Sequence, residues 1–225
     1  GDLQRYKVLY ITAPNLESKT ALALTTWVKN GGRLFASAPA GMKNEFNQPT
    51  VVLEPVLGIS KRTVYRTAAD YSPKGGLRWL DALGKVTLDK KAGLGELSFD
   101  AYGSRATFNY GGNLVGRFED GNPAVVRNKP GKGEVLYFAA MPGLAYSRGA
   151  TEKENVPTID YPPQIRKMIT ALPESLGIAR PVTTSQPNVE ALRLDSDKGI
   201  AVTLLNWSTQ PIDNLEVTIT GNVVG

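Results

Sequence analysis

The sequence predicts an α/β fold: a sheet with parallel strands and helical cover, followed by a small antiparallel β unit. Three observations carry this. Lys7 to Ile11 is a short run of β-formers, Val8, Leu9, Tyr10 and Ile11, with no polar alternation, which is the pattern of a strand covered on both faces in a parallel sheet. Leu16, Thr20, Ala23, Leu24, Trp27 and Val28 recur on one helical face, and that face needs a sheet to cover it. Near the other end, Val189 to Leu194, Gly199 to Asn206 and Leu215 to Thr220 alternate apolar and polar residues between turn formers, as antiparallel strands do.

The elements follow in order from local signals. Pro14 stops the first strand, Asn15 is placed to cap the helix, and Glu17 puts a negative charge in its first turn, where the helix terminus favours one. Lys29 stands in the last turn and Gly31 just beyond it, so Gly31-Gly32 ends the helix and returns the chain into Leu34, Phe35 and Ala36. Strand, helix and strand make a right-handed crossover by default. Gly41 to Thr50 is then a polar loop at the carboxyl end of a parallel strand, the edge at which open α/β sheets place their ligand crevices. It is the first place to look for a site, against the plainer reading of a connection that holds Glu45 and Asn47 in solvent. Leu53 to Ile59 predicts a short helix or turn stopped by Gly58, and Thr63 to Arg66 a strand.

Turn formers crowd Ala68 to Gly95, where Trp79, Leu80 and Leu83 suggest one helical turn against the sheet. Trp79 has two readings: a platform for the apolar face of a sugar, or a large aromatic filling a core or an oligomer interface. Leu97 to Phe99, Ala106 to Tyr110 and Leu114 to Phe118 predict a meander of short strands. Ala124 to Arg127 and Glu134 to Ala139 flank a Pro130-Gly131 turn and predict a hairpin whose second strand is interior. The fragment Gly131-Lys132-Gly133 lacks the spacing of a phosphate loop. Pro162-Pro163 predicts the start of a helix reaching about Leu176, with Ile165, Met168, Ile169 and Leu172 inward and a kink at Pro173. Ile178 to Asn188 reads as a linker, dividing an α/β domain over 1–180 from a β unit over 187–225. Three strands there are too few for an independent sandwich.

Composition removes whole classes of chemistry. The 225 residues include no Cys and no His, so a thiol nucleophile, a Ser-His-Asp triad and a Cys- or His-ligated metal are excluded, and no cofactor is expected. The net charge of +5 comes from 26 basic and 21 acidic residues that are scattered, with Lys61-Arg62 and Lys90-Lys91 the longest basic runs. Without a basic stripe and interleaved aromatics, nucleic acid is not an expected partner. No apolar run approaches the roughly 18 residues of a membrane helix, and GDLQRYK has neither the basic start nor the apolar core of a signal peptide. No membrane is expected as a partner, and the compartment stays unspecified. Only carboxylates remain for catalysis, and glycoside hydrolysis needs two of them, about 5 to 5.5 Å apart in retaining enzymes. Glu152 and Glu154 stand two apart, so in an extended chain they face opposite ways and make no such pair.

Trp27-Val28-Lys29-Asn30-Gly31-Gly32-Arg33-Leu34, followed by Gly41 and by Glu45-Phe46-Asn47, resembles the β-galactosidase trimerisation domain of family 42 glycoside hydrolases. The hairpin from Pro123 to Gly143 is similar to the later part of that domain, and Val189 to Ile219 resembles the small β-domain that closes such proteins. The resemblance implies the flavodoxin-like layout of class I glutamine amidotransferases, a mostly parallel sheet with helices on both faces. This chain lacks the Cys and His that amidotransferase chemistry requires. The implied role is a non-catalytic accessory and oligomerisation domain, partnered with itself or with the catalytic barrel of its own parent chain. Gly41, Glu45, Phe46 and Asn47 then form the contact loop.

The family's catalytic pair sits in a barrel whose eight βα units take ~250 residues, and it has no matching positions here. Two other classes stay open. A carbohydrate-binding module would hold a sugar on Trp79, and oligosaccharide titration against Trp fluorescence distinguishes it. A carboxylate-only glycosidase would turn over chromogenic glycosides. Asp2 to Tyr6 resembles the family's polar lead-in between an earlier strand and the first one here. That implies a chain lacking its first βα unit and an open sheet edge beside Lys7 to Ile11, covered by the meander or paired with a second molecule.

Overall fold

A computed structural model describes residues 3–66, 81–90, 93–94, 96–147, 150–153, 156–159, 161–208 and 210–221. After a 3-10 turn at Leu3–Arg5 come β1 (Val8–Ile11), α1 (Ser18–Lys29), β2 (Arg33–Ala36), α2 (Glu54–Leu57), β3 (Ile59–Arg66) and β4 (Lys85–Leu88). There follow β5 (Ser98–Asp100), β6 (Ser104–Tyr110), β7 (Asn113–Phe118), β8 (Pro123–Asn128), β9 (Glu134–Phe138) and α3 (Pro142–Ser147). The rest is β10 (Ala150–Lys153), β11 (Val156–Ile159), α4 (Pro163–Ile169), α5 (Ala171–Ser175), β12 (Val182–Thr184), β13 (Val189–Ser196), β14 (Gly199–Asn206) and β15 (Val217–Ile219). Trp79 lies outside the described residues. Among the described residues no helix is long and apolar enough to cross a membrane.

The main sheet runs β1-β2-β9-β8-β7-β4-β5. It is mixed, which corrects the mostly parallel sheet expected from the sequence: β1–β2 and β2–β9 are parallel, and every pairing from β9 to β5 is antiparallel. The reason lies in the connections. Residues 129–133 and 119–122 are hairpin turns, too short for the crossover that a parallel neighbour needs. Among the described residues only α1 supplies such a crossover, and it ends as expected at Asn30 and the positive-φ Gly31.

The apolar runs explain which strands lie inside. Leu34, Phe35 and Ala36 of β2 and Val135 to Phe138 of β9 are all buried, as strands covered on both faces must be. The strand β1 departs from that expectation, because it forms one edge of the sheet and Tyr10 remains half exposed. Pleating sends alternate side chains to opposite faces. On one face Tyr10, Phe35 and Phe138 stack in a row with centroids 5.1 and 4.8 Å apart, and the Tyr10 hydroxyl donates to Ile169 O at the end of α4. On the other, Phe108 of β6 meets Tyr137 edge-on, and Asn128 Nδ2 donates to Val56 O of α2 at 2.9 Å. Leu24 and Trp27 of α1 join this core, with the indole N–H donating to Tyr6 O.

Other elements differ from the sequence reading. The strand β6 leaves the expected meander and pairs with β3 in a separate antiparallel ribbon, while β4, unread among turn formers, takes its place between β7 and β5. The meander therefore sits at the far edge and does not cover β1. The last helix breaks at Thr170 instead of Pro173, which falls inside α5. The linker contains β12, which pairs with β15, while β13 pairs with β14. Val182 and Val189 are buried there but stand apart from the main core.

Candidate contact loop at the carboxyl edge of the parallel strands

The parallel strands β1 and β2 end at the same edge, and the chain leaving β2 builds the loop singled out from the sequence. Its root is fixed first. Gly41 is buried at φ +57 and donates its N–H to Ala13 O at 2.9 Å; a Cβ there would stand 2.6 Å from Leu53 Cδ1. A side chain is excluded by space as well as by backbone conformation. Lys43 then exchanges backbone bonds with the segment leaving β1, its N–H to Pro14 O at 3.0 Å and its carbonyl from Leu16 N at 2.9 Å.

Asn44 organises the tip. Its Oδ1 accepts the N–H groups of Phe46 and Gln48, at 3.0 and 2.9 Å, while its own N–H donates to Gln48 O. This is an Asx turn in which the side chain substitutes for backbone acceptors. Asn47 sits at φ +61, and its Oδ1 accepts from Lys43 Nζ at 2.9 Å and Asn15 Nδ2 at 3.3 Å. The expected cap Asn15 is thus used to hold the loop.

The helix α1 is capped instead from the loop. Glu17, at its N-cap, makes no capping bond, whereas Glu45 Oε2 accepts the Ser18 N–H at 2.9 Å and the Ser18 hydroxyl at 2.8 Å. A carboxylate at a helix N-terminus also meets the positive end of the backbone dipoles. The Glu45 carboxyl is held below the ordinary range by its own backbone N–H first, and then by the N–H and hydroxyl of Ser18.

Four candidate residues are therefore brought together, in distinct roles: Gly41 at the root, Glu45 on the helix, Asn47 in a lock, and Phe46 left 74% exposed. Every polar group named here has a partner within the loop or its supports, so the loop offers no free base or nucleophile. What it presents is an apolar ring on a fixed frame.

Beneath the root lies a group the sequence reading passed over as part of a basic pair. Arg62, on β3, has a side chain only 1% exposed. Its Nη1 donates to Ala40 O at 2.8 Å and to Ala38 O at 3.4 Å, and its Nε lies 3.8 Å from Glu54 Oε1. Tyr137 donates to the same Ala38 carbonyl at 3.1 Å, and burial pushes its phenol well up. In the sequence Lys61-Arg62 stands just ahead of the strand expected at Thr63 to Arg66, and the register slip that aims Arg62 inward is not written in side-chain pattern.

A groove of about 780 Å³ lies at the opposite edge, beside Tyr6, Trp27, Asn30 and Leu176. Lys7 is the single charged side chain in its lining, so it holds no acid–base pair. Among the described residues no group of three acidic side chains is placed to hold a metal.

No family model and no curated protein matches the chain. Solved structures do. The cold-adapted β-galactosidase from Rahnella sp. R3 aligns over 92% of this chain and 28% of its own, with TM-score 0.68 and 21% identity. For the β-galactosidase from Bacillus circulans sp. alkalophilus the figures are 92%, 28%, 0.63 and 18%. A catalytic mutant of a GH42 β-galactosidase from G. stearothermophilus gives 91%, 26%, 0.66 and 18%. At these identities the likeness is one of fold. The chain spans little more than a quarter of the length of the structures it matches.

Proposed function

We propose that this chain is a non-catalytic accessory domain of a GH42-like glycoside hydrolase, and that its role is assembly. The premise is a fold shared along most of the chain with part of GH42 β-galactosidases. In this reading the mixed sheet and its helices are a diverged amidotransferase-like scaffold whose chemistry has been lost with Cys and His. The scaffold then serves as a trimerisation domain, contacting copies of itself or the catalytic barrel of its own parent chain.

The single observation that carries the reading is the loop. An exposed phenylalanine on an otherwise mobile loop would cost conformational entropy on binding, but this one is held in advance by Asn44, Glu45 and Asn47. Preorganised aromatic anchors are the residues from which interfaces draw most of their affinity. Sedimentation of the chain at rising concentration tests it. We expect concentration-dependent self-association that Phe46→Ser abolishes with the melting temperature unchanged, since Phe46 supports nothing in the fold. A chain that stays monomeric throughout, or a variant that associates as before, overturns the assembly role. Turnover of an aryl galactoside that one Asp or Glu to Ala change removes overturns the non-catalytic one.

A further inference from the structure

The ladder between β3 and β6 slips between Ser60 and Thr63, and Lys61 within the slip stands at φ +54. A bulge of this kind turns a side chain to a face the regular pleat would deny it, and a non-glycine residue in the left-handed region is a strained one that the surroundings must hold. The side chain so turned is Arg62. Its surroundings are poor for a guanidinium considered as a core residue. Among the described residues, the carboxylate paired with it, Glu54, is 3.8 Å from Nε, beyond hydrogen-bond range, the ring of Tyr137 is 5.9 Å from Cζ, and Nη2 is buried with no hydrogen-bond partner. An apolar side chain of similar length would fill the space without that desolvation.

Its one good bond goes elsewhere, to Ala40 O at 2.8 Å, with Ala38 O at 3.4 Å beside it. Both residues are fully buried in the turn between β2 and Gly41, so these carbonyls need donors from the protein: Ala38 O accepts from both Arg62 and the Tyr137 hydroxyl, the latter at 3.1 Å, while Ala40 O takes Arg62 at 2.8 Å. The same turn fixes its own amides: Ala38 N–H donates to Ala140 O, Ala40 N–H to Ser37 O, and Gly41 N–H to Ala13 O.

We infer that Arg62 is the positioning residue of the contact loop. The strained bulge at Lys61 delivers its guanidinium under the strand exit, where it clamps the Ala38 and Ala40 carbonyls and so sets the direction in which the chain leaves for Phe46. That the loop makes a contact rests on the assembly reading above. That Arg62 aims the loop does not, and the two are separable by experiment.

The test is amide hydrogen exchange on the full chain carrying Arg62→Met, which keeps the length of the side chain and removes its donors. Exchange at Ala38, Ala40, Gly41 and Lys43 is expected to rise about tenfold or more while Leu34 to Ala36 and Val135 to Phe138 keep their protection. Arg62→Lys, with one donor head, should give a smaller rise at the same amides. It carries the test alone if Arg62→Met does not fold. A rise spread evenly over core and loop means Arg62 is merely structural and overturns the inference, as does an unchanged loop. Self-association is read on the same samples. A loosened loop with undiminished self-association leaves the positioning role standing and removes the contact role instead.

Discussion

Strands β13 and β14 pair over eight residues, twice the four that join β2 to β9, yet the longer ladder is the weaker piece of structure. In β2 and β9 the side chains from Leu34 to Ala36 and from Val135 to Phe138 are buried on both faces. In the ribbon, Leu192, Leu194, Leu205 and Trp207 share one face and are each about half exposed. Backbone hydrogen bonds exchange water partners for protein ones at a net of about 1 kcal/mol each, whereas burying one large apolar side chain contributes about 1.5 to 3 kcal/mol. Regular pairing therefore says little about where the stability resides.

Three substitutions sharpen the contrast. The largest effect is expected for Gly133→Ala in the turn entering β9, because a Cβ there would stand 1.9 Å from Val28 O and 2.7 Å from Gly32 O. Neither carbonyl can move without unseating α1, so the loss should reach about 4 kcal/mol or more, read as failure to give a cooperative urea transition. Next come two tryptophans of opposite setting. Trp27→Ala should cost about 3 to 5 kcal/mol, while Trp207→Ala, which loses a half-exposed ring and one bond to Glu190 Oε2, should cost about 1 kcal/mol or less. Equal losses by chemical denaturation would show that the ribbon shares the core's stability.

The smallest effect concerns the loop and is read in pH. The Glu45 carboxyl is lowered in the folded chain from an ordinary value of 4.5. Its contribution is therefore fully present above that unfolded value and is lost as pH falls through the lower folded one. Glu45→Gln should flatten the acid limb of a melting-temperature profile and leave the neutral limb in place. An acid limb identical to the parent's would show that the cap does not titrate as described.

The core was legible in the sequence where chemistry is local. The inward face of α1 announces itself by period at Leu24, Trp27 and Val28, although Ala21 is buried where Ala23, which is exposed, was expected, and Gly31 and the Pro130-Gly131 turn announce themselves by backbone preference. What was hidden depends on distant partners. The alternation in Lys85 to Leu88 is four residues long among turn formers, too short to separate from a loop. The departure of β6 to β3 goes with the packing of Phe108 on Tyr137, a contact that nothing between β5 and β7 announces. The loop at 41–48 does leave a parallel strand, as its position in the sequence predicts, but the acceptor for the N-terminus of α1 was sought at Asn15 because caps are usually local, and it came from 27 positions away. Arg62 was invisible for the same reason, since a bulge is a property of two strands.

The parallel pairing of β2 with β9 joins Arg33 to Glu134, 101 positions apart, whereas β13 and β14 are joined through the two-residue turn between Ser196 and Gly199. Closing a long loop is slow and closing a short one fast, so rate follows the separation of the partners along the chain. The chain should thus assemble in an order opposite to its stability. The ribbon zips within microseconds and displays Leu192, Leu194 and Trp207 while the segment between β2 and β9 is still searching. Refolding yield should accordingly fall with concentration, and polar replacements on that ribbon face should restore it without altering the folding rate of the core.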